Sequence, residues 1–62
     1  MEDYYKTKAV RMVHKAMEKR RLSFEEAQDL MEIFDDDMKQ FSPSHAYNNF
    51  EIDLEEILAK NV

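Results

Sequence analysis

The chain has 62 residues, 44% of them apolar, with a net charge of −5 and neither Cys nor Gly. Its length allows one domain, and its composition excludes disulfides and thiolate metal sites and disfavours glycine-dependent β-hairpins. No apolar run reaches the roughly 18 residues that a membrane span needs, and the charged start MEDYYKTK lacks the apolar core of a signal peptide. We therefore expect one all-α domain over residues 1–62 that resides in the cytoplasm and does not contact a membrane.

Residues 3–20 have the spacing of an amphipathic helix. Its apolar stripe, built from positions three and four apart, consists of Tyr5, Ala9, Met12, Val13, Ala16 and Met17. A second row of the same helix is basic, and we call it the basic ridge: Lys8, Arg11, Lys15 and Lys19, continued at the end by Arg20 and Arg21. Cations at the end of a helix also interact favourably with its dipole.

A capping box opens the second predicted helix, which spans residues 24–41. Ser23 is a favourable N-cap, and Glu26 stands three residues later, as the S-x-x-E pattern requires. The apolar face of this helix consists of Ala27, Leu30, Phe34, Met38 and Phe41. Almost opposite, at about 100° per residue, lies what we call the acidic row: Glu25, Asp29, Glu32 and Asp36. Like charges one turn apart cost about 0.2–0.5 kcal/mol per pair, so helix stability does not explain this row.

The third predicted helix spans residues 45–60. Pro43 disfavours a helical conformation at Ser42, and Ser44 is a favourable N-cap for a helix that begins at His45, with Asn48 or Asn49 offering a later start. Its apolar face consists of Tyr47, Phe50, Leu54, Ile57 and Leu58. Ile33 and Ile52 fall outside the apolar faces of their helices, which indicates a second contact surface.

The connection between the first two helices is short, so the fold we expect is a helical hairpin plus a third helix. The predicted core consists of Ala9, Met12, Val13, Ala16, Leu30, Phe34, Met38, Phe50, Leu54 and Leu58. This core is small, and domains of this size are only marginally stable alone. Because no disulfide can reinforce it, we expect the fold to be completed by homodimerisation, with Ile33 and Ile52 contacting either the second copy or another protein.

The residues that could carry chemistry do not form a convincing catalytic or metal site. Ser44 and His45 are the one Ser/His neighbour pair, but adjacent residues at a helix start diverge by about 100°. The run from Asp35 to Asp37, even with His45, lacks the glycine-containing loop of a calcium site. We therefore predict no enzyme activity, no bound metal and no cofactor.

Charge is distributed unevenly along the chain. Residues 1–22 carry seven basic side chains against three acidic ones, a net charge of +4, whereas residues 23–62 carry two against eleven, a net charge of −9. Such asymmetry is typical of proteins with charged partners. We expect a non-enzymatic interaction module, a small regulator or inhibitor whose acidic row and exposed apolar residues bind a basic protein. Two alternatives remain: a nucleic-acid-binding protein that uses the basic ridge, or an acidic mimic of nucleic acid.

Overall fold

The structure, a computed structural model, describes the backbone of residues 2–61 and the side chains of residues 4–61. It contains three helices: α1 over Glu2–Glu18, α2 over Phe24–Gln40 and α3 over Pro43–Lys60. Residues 2–61 include no β-strand. The predicted all-α fold with three helices is therefore confirmed, while the exact ends of the helices differ from the prediction.

α1 ends two residues earlier than predicted because Arg20 adopts a left-handed conformation, with φ of 57°. The amide of Arg20 donates to the carbonyl of Met17 (3.0 Å), and the amide of Arg21 donates to that of Ala16 (2.9 Å). These two hydrogen bonds define a Schellman motif, which satisfies the last carbonyl groups of a helix. Glycine usually occupies the left-handed position, but this chain has none, so arginine carries the steric cost of the turn.

The predicted capping box at the start of α2 is confirmed. The amide of Glu26 donates to the Ser23 hydroxyl (3.1 Å), and the amide of Ser23 donates to the Glu26 carboxylate (3.0 Å). Two donors that the helix leaves free are thereby satisfied. The helix ends at Gln40 because Phe41 takes an extended conformation, with φ of −128° and ψ of 174°.

α3 begins at Pro43, two residues before the predicted start, and its N-cap is Ser42 rather than Ser44. The Ser42 hydroxyl accepts a hydrogen bond from the His45 amide (3.3 Å). Proline fits the first helical position because its fixed φ suits the helix and the missing N–H would have no partner there. Pro43 therefore starts α3 and also prevents α2 from continuing into it.

The three helices form an up-down-up bundle in which α1 and α3 run parallel. Near their starts, the Tyr5 and Tyr47 rings lie 5.5 Å apart and the Tyr47 hydroxyl donates to the Met12 sulfur (2.9 Å). Near their ends, the Asn61 side-chain amide donates to the Arg21 carbonyl (3.0 Å). α2 runs antiparallel between these contacts, with Phe34 packed edge-to-face on Phe50 of α3 at 5.6 Å between ring centroids.

The core lies along the inner faces of all three helices. Of the ten predicted core residues, seven are buried: Ala9, Val13, Ala16, Leu30, Phe34, Phe50 and Leu54. The prediction left out four buried residues, Leu22, Ala27, Ala46 and Tyr47. Leu22 lies in the α1–α2 turn, outside any helical period, so periodicity gave it no weight.

Four positions are more exposed than predicted. Met12, Met38 and Leu58 are half-buried because they lie at the edges of their apolar faces, where the bundle opens to solvent. Phe41 is 44% exposed, because the chain has already left the helix at this residue, and its ring stacks on His45 at 4.6 Å instead of entering the core.

Phe34 is 1% exposed and its substitution by Ala should leave a cavity at the centre of the bundle. We expect Phe34→Ala to lower the free energy of unfolding by about 3–5 kcal/mol, most of the stability of a small domain. Phe24 lies on the same helix but is 71% exposed, so Phe24→Ala should cost less than about 1 kcal/mol. Urea titration followed by circular dichroism measures both. Equal losses in the two variants would contradict the assigned core.

Glycine in place of Arg20 should relieve the steric cost of the left-handed turn. We expect Arg20→Gly to raise the free energy of unfolding by about 0.5–1 kcal/mol, after allowance for the extra entropy of glycine in the unfolded chain. Lys19→Gly, one residue earlier, should instead destabilise by a similar amount, since Lys19 still donates to the Lys15 carbonyl as a helical residue does. A thermal melt in which both glycines destabilise would contradict the Schellman geometry.

Candidate functional site

The acidic row forms a continuous line on the outer face of α2. All four of its carboxylates, on Glu25, Asp29, Glu32 and Asp36, are exposed. Their spacing of four, three and four residues places consecutive members about 5–6 Å apart. None of the four carboxylates has a cation within 4 Å among residues 4–61, so their mutual repulsion is not relieved by an ion pair within the described part of the chain.

The ion pair found in residues 4–61 lies beside the acidic row rather than within it. Lys6 of α1 donates from Nζ to the Asp35 carboxylate of α2 at 3.0 Å, with both side chains about half exposed. Asp35 is about 100° around α2 from both Phe34 and Asp36, so it sits on the flank that faces α1. This pair ties α1 to α2 and leaves the acidic row available to solvent.

Ile33 and Ile52 are exposed, as predicted from their positions off the apolar faces. Ile33 is 47% exposed on α2 and Ile52 is 56% exposed on α3. Ile33 directly follows Glu32, on the flank of α2 that also carries Glu26, whose carboxylate accepts from Asn61 at the end of α3. The exposed apolar group at Ile33 therefore lies next to the acidic row, toward α3.

The basic ridge is exposed along the outer face of α1. Its members, together with the turn residues, are all solvent-accessible: Lys8, Arg11, Lys15, Lys19, Arg20 and Arg21. Lys8 lies over two aromatic rings, with Nζ 5.3 Å from the Tyr4 centroid and 5.1 Å from the Tyr47 centroid. Charge interaction with Tyr4, and then with Tyr47, holds the pKa of Lys8 above its usual value of 10.5, so the ammonium group is charged at neutral pH.

Tyr47 joins the starts of α1 and α3 through a contact that the sequence pattern did not indicate. Its ring is buried, and this burial, followed by the nearby Glu51 carboxylate, raises the pKa of its hydroxyl above 10.0. The hydroxyl donates to the Met12 thioether, while Lys8 covers the ring. Helical spacing alone places Tyr47 on the apolar face of α3. It does not reveal the contact with Met12, which lies 35 positions earlier on α1.

Asn61 is a second contact residue that sequence reasoning missed. Its side-chain amide donates to the Arg21 carbonyl and to the Glu26 carboxylate, each at 3.0 Å. It therefore connects the end of α3 to both sides of the α1–α2 turn. No local motif surrounds Asn61 in the sequence, so only the packing of the bundle reveals this role.

The residues considered for catalysis or metal binding do not converge in the structure. The Ser44 hydroxyl lies 3.4 Å from that of Ser42, and His45 stacks on Phe41. Across the described residues, no three His, Asp or Glu side chains are grouped closely enough to hold a metal ion. The grooves on the described surface are open and shallow, and one of them is lined wholly by α1 residues. In the described part of the chain, no helix has the length and apolar character needed to cross a bilayer.

Comparisons with protein-family models, with curated proteins and with solved structures find no match to this chain. The chemistry and geometry of its own surfaces therefore carry the functional argument.

The capping box makes the stability of the bundle depend on the charge of Glu26. Its hydrogen bond from the Ser23 amide lowers the pKa of the Glu26 carboxyl below 4.5, with a further contribution from Asn61. A depressed pKa in the folded state stabilises the fold above the unfolded-state pKa, and this contribution is lost as the pH falls through the folded-state value. Acid should therefore weaken the α1–α2 turn.

Glu26→Gln keeps the hydrogen-bonding oxygen but removes the titration, so we expect this variant to lose less stability between pH 7 and pH 3 than the wild type. Glu18→Gln, which removes an exposed carboxylate outside both the capping box and the acidic row, serves as the control for the loss of one charge. Urea titration at both pH values gives the free energies of unfolding. A Glu26→Gln variant as acid-sensitive as the wild type would contradict this role for the carboxylate.

Proposed function

We propose that this protein is a non-enzymatic interaction module, a small cytoplasmic regulator or inhibitor that acts by binding a basic surface of another protein. One observation carries the proposal: four exposed carboxylates follow each other along one face of α2 without a cation partner among residues 4–61. Their repulsion costs stability that the fold does not recover by itself. A partner rich in Lys and Arg would recover it on binding.

Ile33 and Ile52 support a protein partner rather than a free cation or a small polycation. Charged rims mainly accelerate association and set specificity, whereas buried apolar side chains supply much of the affinity. Ile33 lies beside Glu32 and is nearly half exposed, so it can be buried by the same partner that approaches the acidic row. Ile52 extends this apolar contribution onto α3.

We further propose that the protein acts as a homodimer. Its core contains eleven buried apolar residues, eight of them Ala, Val or Leu, and no disulfide reinforces it. Burial of additional apolar surface against a second copy is the usual way for a domain of this size to gain stability. The exposed surface around Ile33 on α2 is predominantly acidic, so it suits a basic partner better than a second copy of itself.

Two nucleic-acid functions are the alternatives. The basic ridge could bind phosphates directly, since its cations are exposed on one outer face of α1. The acidic row could instead mimic a phosphate backbone, because its carboxylates repeat at a distance similar to that between phosphates on one DNA strand. The mimic is a special case of the main proposal, in which the basic surface of the partner is itself a nucleic-acid site.

Reversal of two charges in the acidic row should abolish most of its attraction for a basic partner. A pull-down with the intact chain followed by mass spectrometry identifies that partner. We then expect Asp29→Lys with Glu32→Lys to retain helicity and to weaken binding at least about tenfold, equivalent to about 1.4 kcal/mol, mostly through a slower association rate. Surface plasmon resonance at several salt concentrations measures both rate constants.

Glu18→Lys is a suitable control, because it reverses an exposed carboxylate on α1, away from the acidic row. This variant should change the affinity less than about twofold, as expected for a charge outside the contact. If the double variant binds its partner as tightly as the wild type, the acidic row is only a solvated helix face.

A gel-shift experiment with generic duplex DNA at low salt separates the alternatives. The main proposal predicts no shift, since the chain carries a net charge of −5. A shift that fades as salt rises, and that Arg11→Glu removes, would instead support nucleic-acid binding through the basic ridge.

A further inference from the structure

A shallow apolar groove separates α1 from α3 on the face of the bundle opposite α2. The groove has a volume of about 190 Å³, and its floor is formed by Met12 and Ala16 of α1 and by Leu54 and Leu58 of α3. Met12 and Leu58 are only half-buried, so each presents part of its apolar surface to solvent. They are also two of the three predicted core residues that the single chain does not bury completely.

Basic side chains line the α1 side of this groove, and carboxylates flank it on α3 beyond its apolar lining. Lys15 and Lys19 line the α1 side, and Arg21 closes the groove at its end. On the α3 side, Glu51 lies close enough to Lys8 and Tyr47 to raise the pKa of both. Glu55 is exposed one turn after Glu51 and three residues before Leu58, so it lies on the same flank of α3.

This arrangement of a basic strip, an apolar groove and an acidic strip is complementary to itself. α1 and α3 run parallel, so a two-fold axis parallel to both helices places α1 of one copy over α3 of the other at the same height. In such an isologous contact each residue pair occurs twice. Lys15 of each copy then faces Glu55 of the other, and the apolar floors of the two grooves meet at the centre.

The other two faces of the bundle lack this property. The groove between α1 and α2 is lined by uncharged side chains apart from His14, and Lys6 and Asp35 beside it already pair within one chain, so charge does not select an orientation there. The face shared by α2 and α3 is acidic on both helices, and two copies would repel each other across it. Charge complementarity within one chain is therefore found, over the described residues, at the α1–α3 face.

We propose that a second copy of this chain docks on the α1–α3 groove, so that Lys15 of each copy pairs with Glu55 of the other around Met12 and Leu58. The inference rests on the homodimerisation proposed above and specifies its surface. It also gives the basic ridge a role within the assembly, and it leaves the acidic row of each copy on the outside. A dimer of this kind presents two acidic rows to its partners.

Reversal of the charge at Lys15 or at Glu55, in separate variants, provides the test. In a dimer of Lys15→Glu chains, both two-fold contacts pair carboxylate with carboxylate, and in a dimer of Glu55→Lys chains both pair ammonium with ammonium. We expect each single variant to raise the dissociation constant of the dimer at least about tenfold at low salt. Because the contact is isologous, an equimolar mixture of the two variants should restore a dimer, since every pair across that interface is again of opposite sign.

Sedimentation equilibrium from one to one hundred micromolar measures these constants, with circular dichroism to verify that each variant folds. Lys39→Glu and Glu18→Lys are matched controls, because they reverse exposed charges of the same sign outside the α1–α3 groove and change the net charge equally. Both controls should dimerise as the wild type does.

Three results separate the possibilities. Single variants that dimerise weakly alone but associate when mixed support the α1–α3 interface. A wild-type dimer that neither Lys15→Glu nor Glu55→Lys weakens overturns this interface while homodimerisation stands. A wild-type chain that remains at 7.5 kDa throughout the concentration range overturns both the interface and homodimerisation, and it leaves the proposed role of the acidic row to be tested by partner binding.

Discussion

The edge-to-face contact between Phe34 and Phe50 is the interaction on which the rest of this bundle depends. These two rings are the largest fully buried side chains of the described residues, and they join α2 to α3 at the middle of the molecule. Aromatic pairs of this geometry contribute about 0.5–1.5 kcal/mol beyond the area they bury. Much of the remaining core consists of small side chains, including four alanines, which let the helices approach closely but contribute little burial each. The stability of the fold therefore depends most on this aromatic centre.

The turns hold the helices at this distance without glycine or disulfides. A Schellman motif with Arg20 in the left-handed position ends α1, and the capping box of Ser23 and Glu26 opens α2 within three residues. Asn61 then joins both sides of this turn to the end of α3. Since no polar or charged residue among residues 4–61 is buried, the charged side chains remain on the surface and are sorted by helix. The outer face of α1 is basic, that of α2 is acidic, and α3 carries carboxylates toward α1.

Apolar periodicity was sufficient to predict the three helices and most of the core, because one face of each helix is buried along its whole length. It could not distinguish Ser42 from Ser44 as the N-cap of α3, since both are favourable caps and Pro43 fits either as a breaker or as a first helical residue. It also gave no weight to Leu22, which is buried from within a turn. The acidic row could be read from spacing alone. The relation between charges on different helices, such as Lys6 with Asp35 or the two sides of the α1–α3 groove, depends on how the helices pack. Spacing along the sequence therefore could not predict it.

Under the two proposals above, the charged faces of this small bundle have separate roles: the α1–α3 face for a second copy and the acidic row of α2 for a basic partner. Concentration-dependent NMR of the uniformly ¹⁵N-labelled wild type tests this division most directly. On dilution from one millimolar to ten micromolar, the account predicts that amide shifts change around Met12, Ala16, Glu55 and Leu58 and stay constant along the acidic row. Shift changes centred on Ile33 and the acidic row would contradict it.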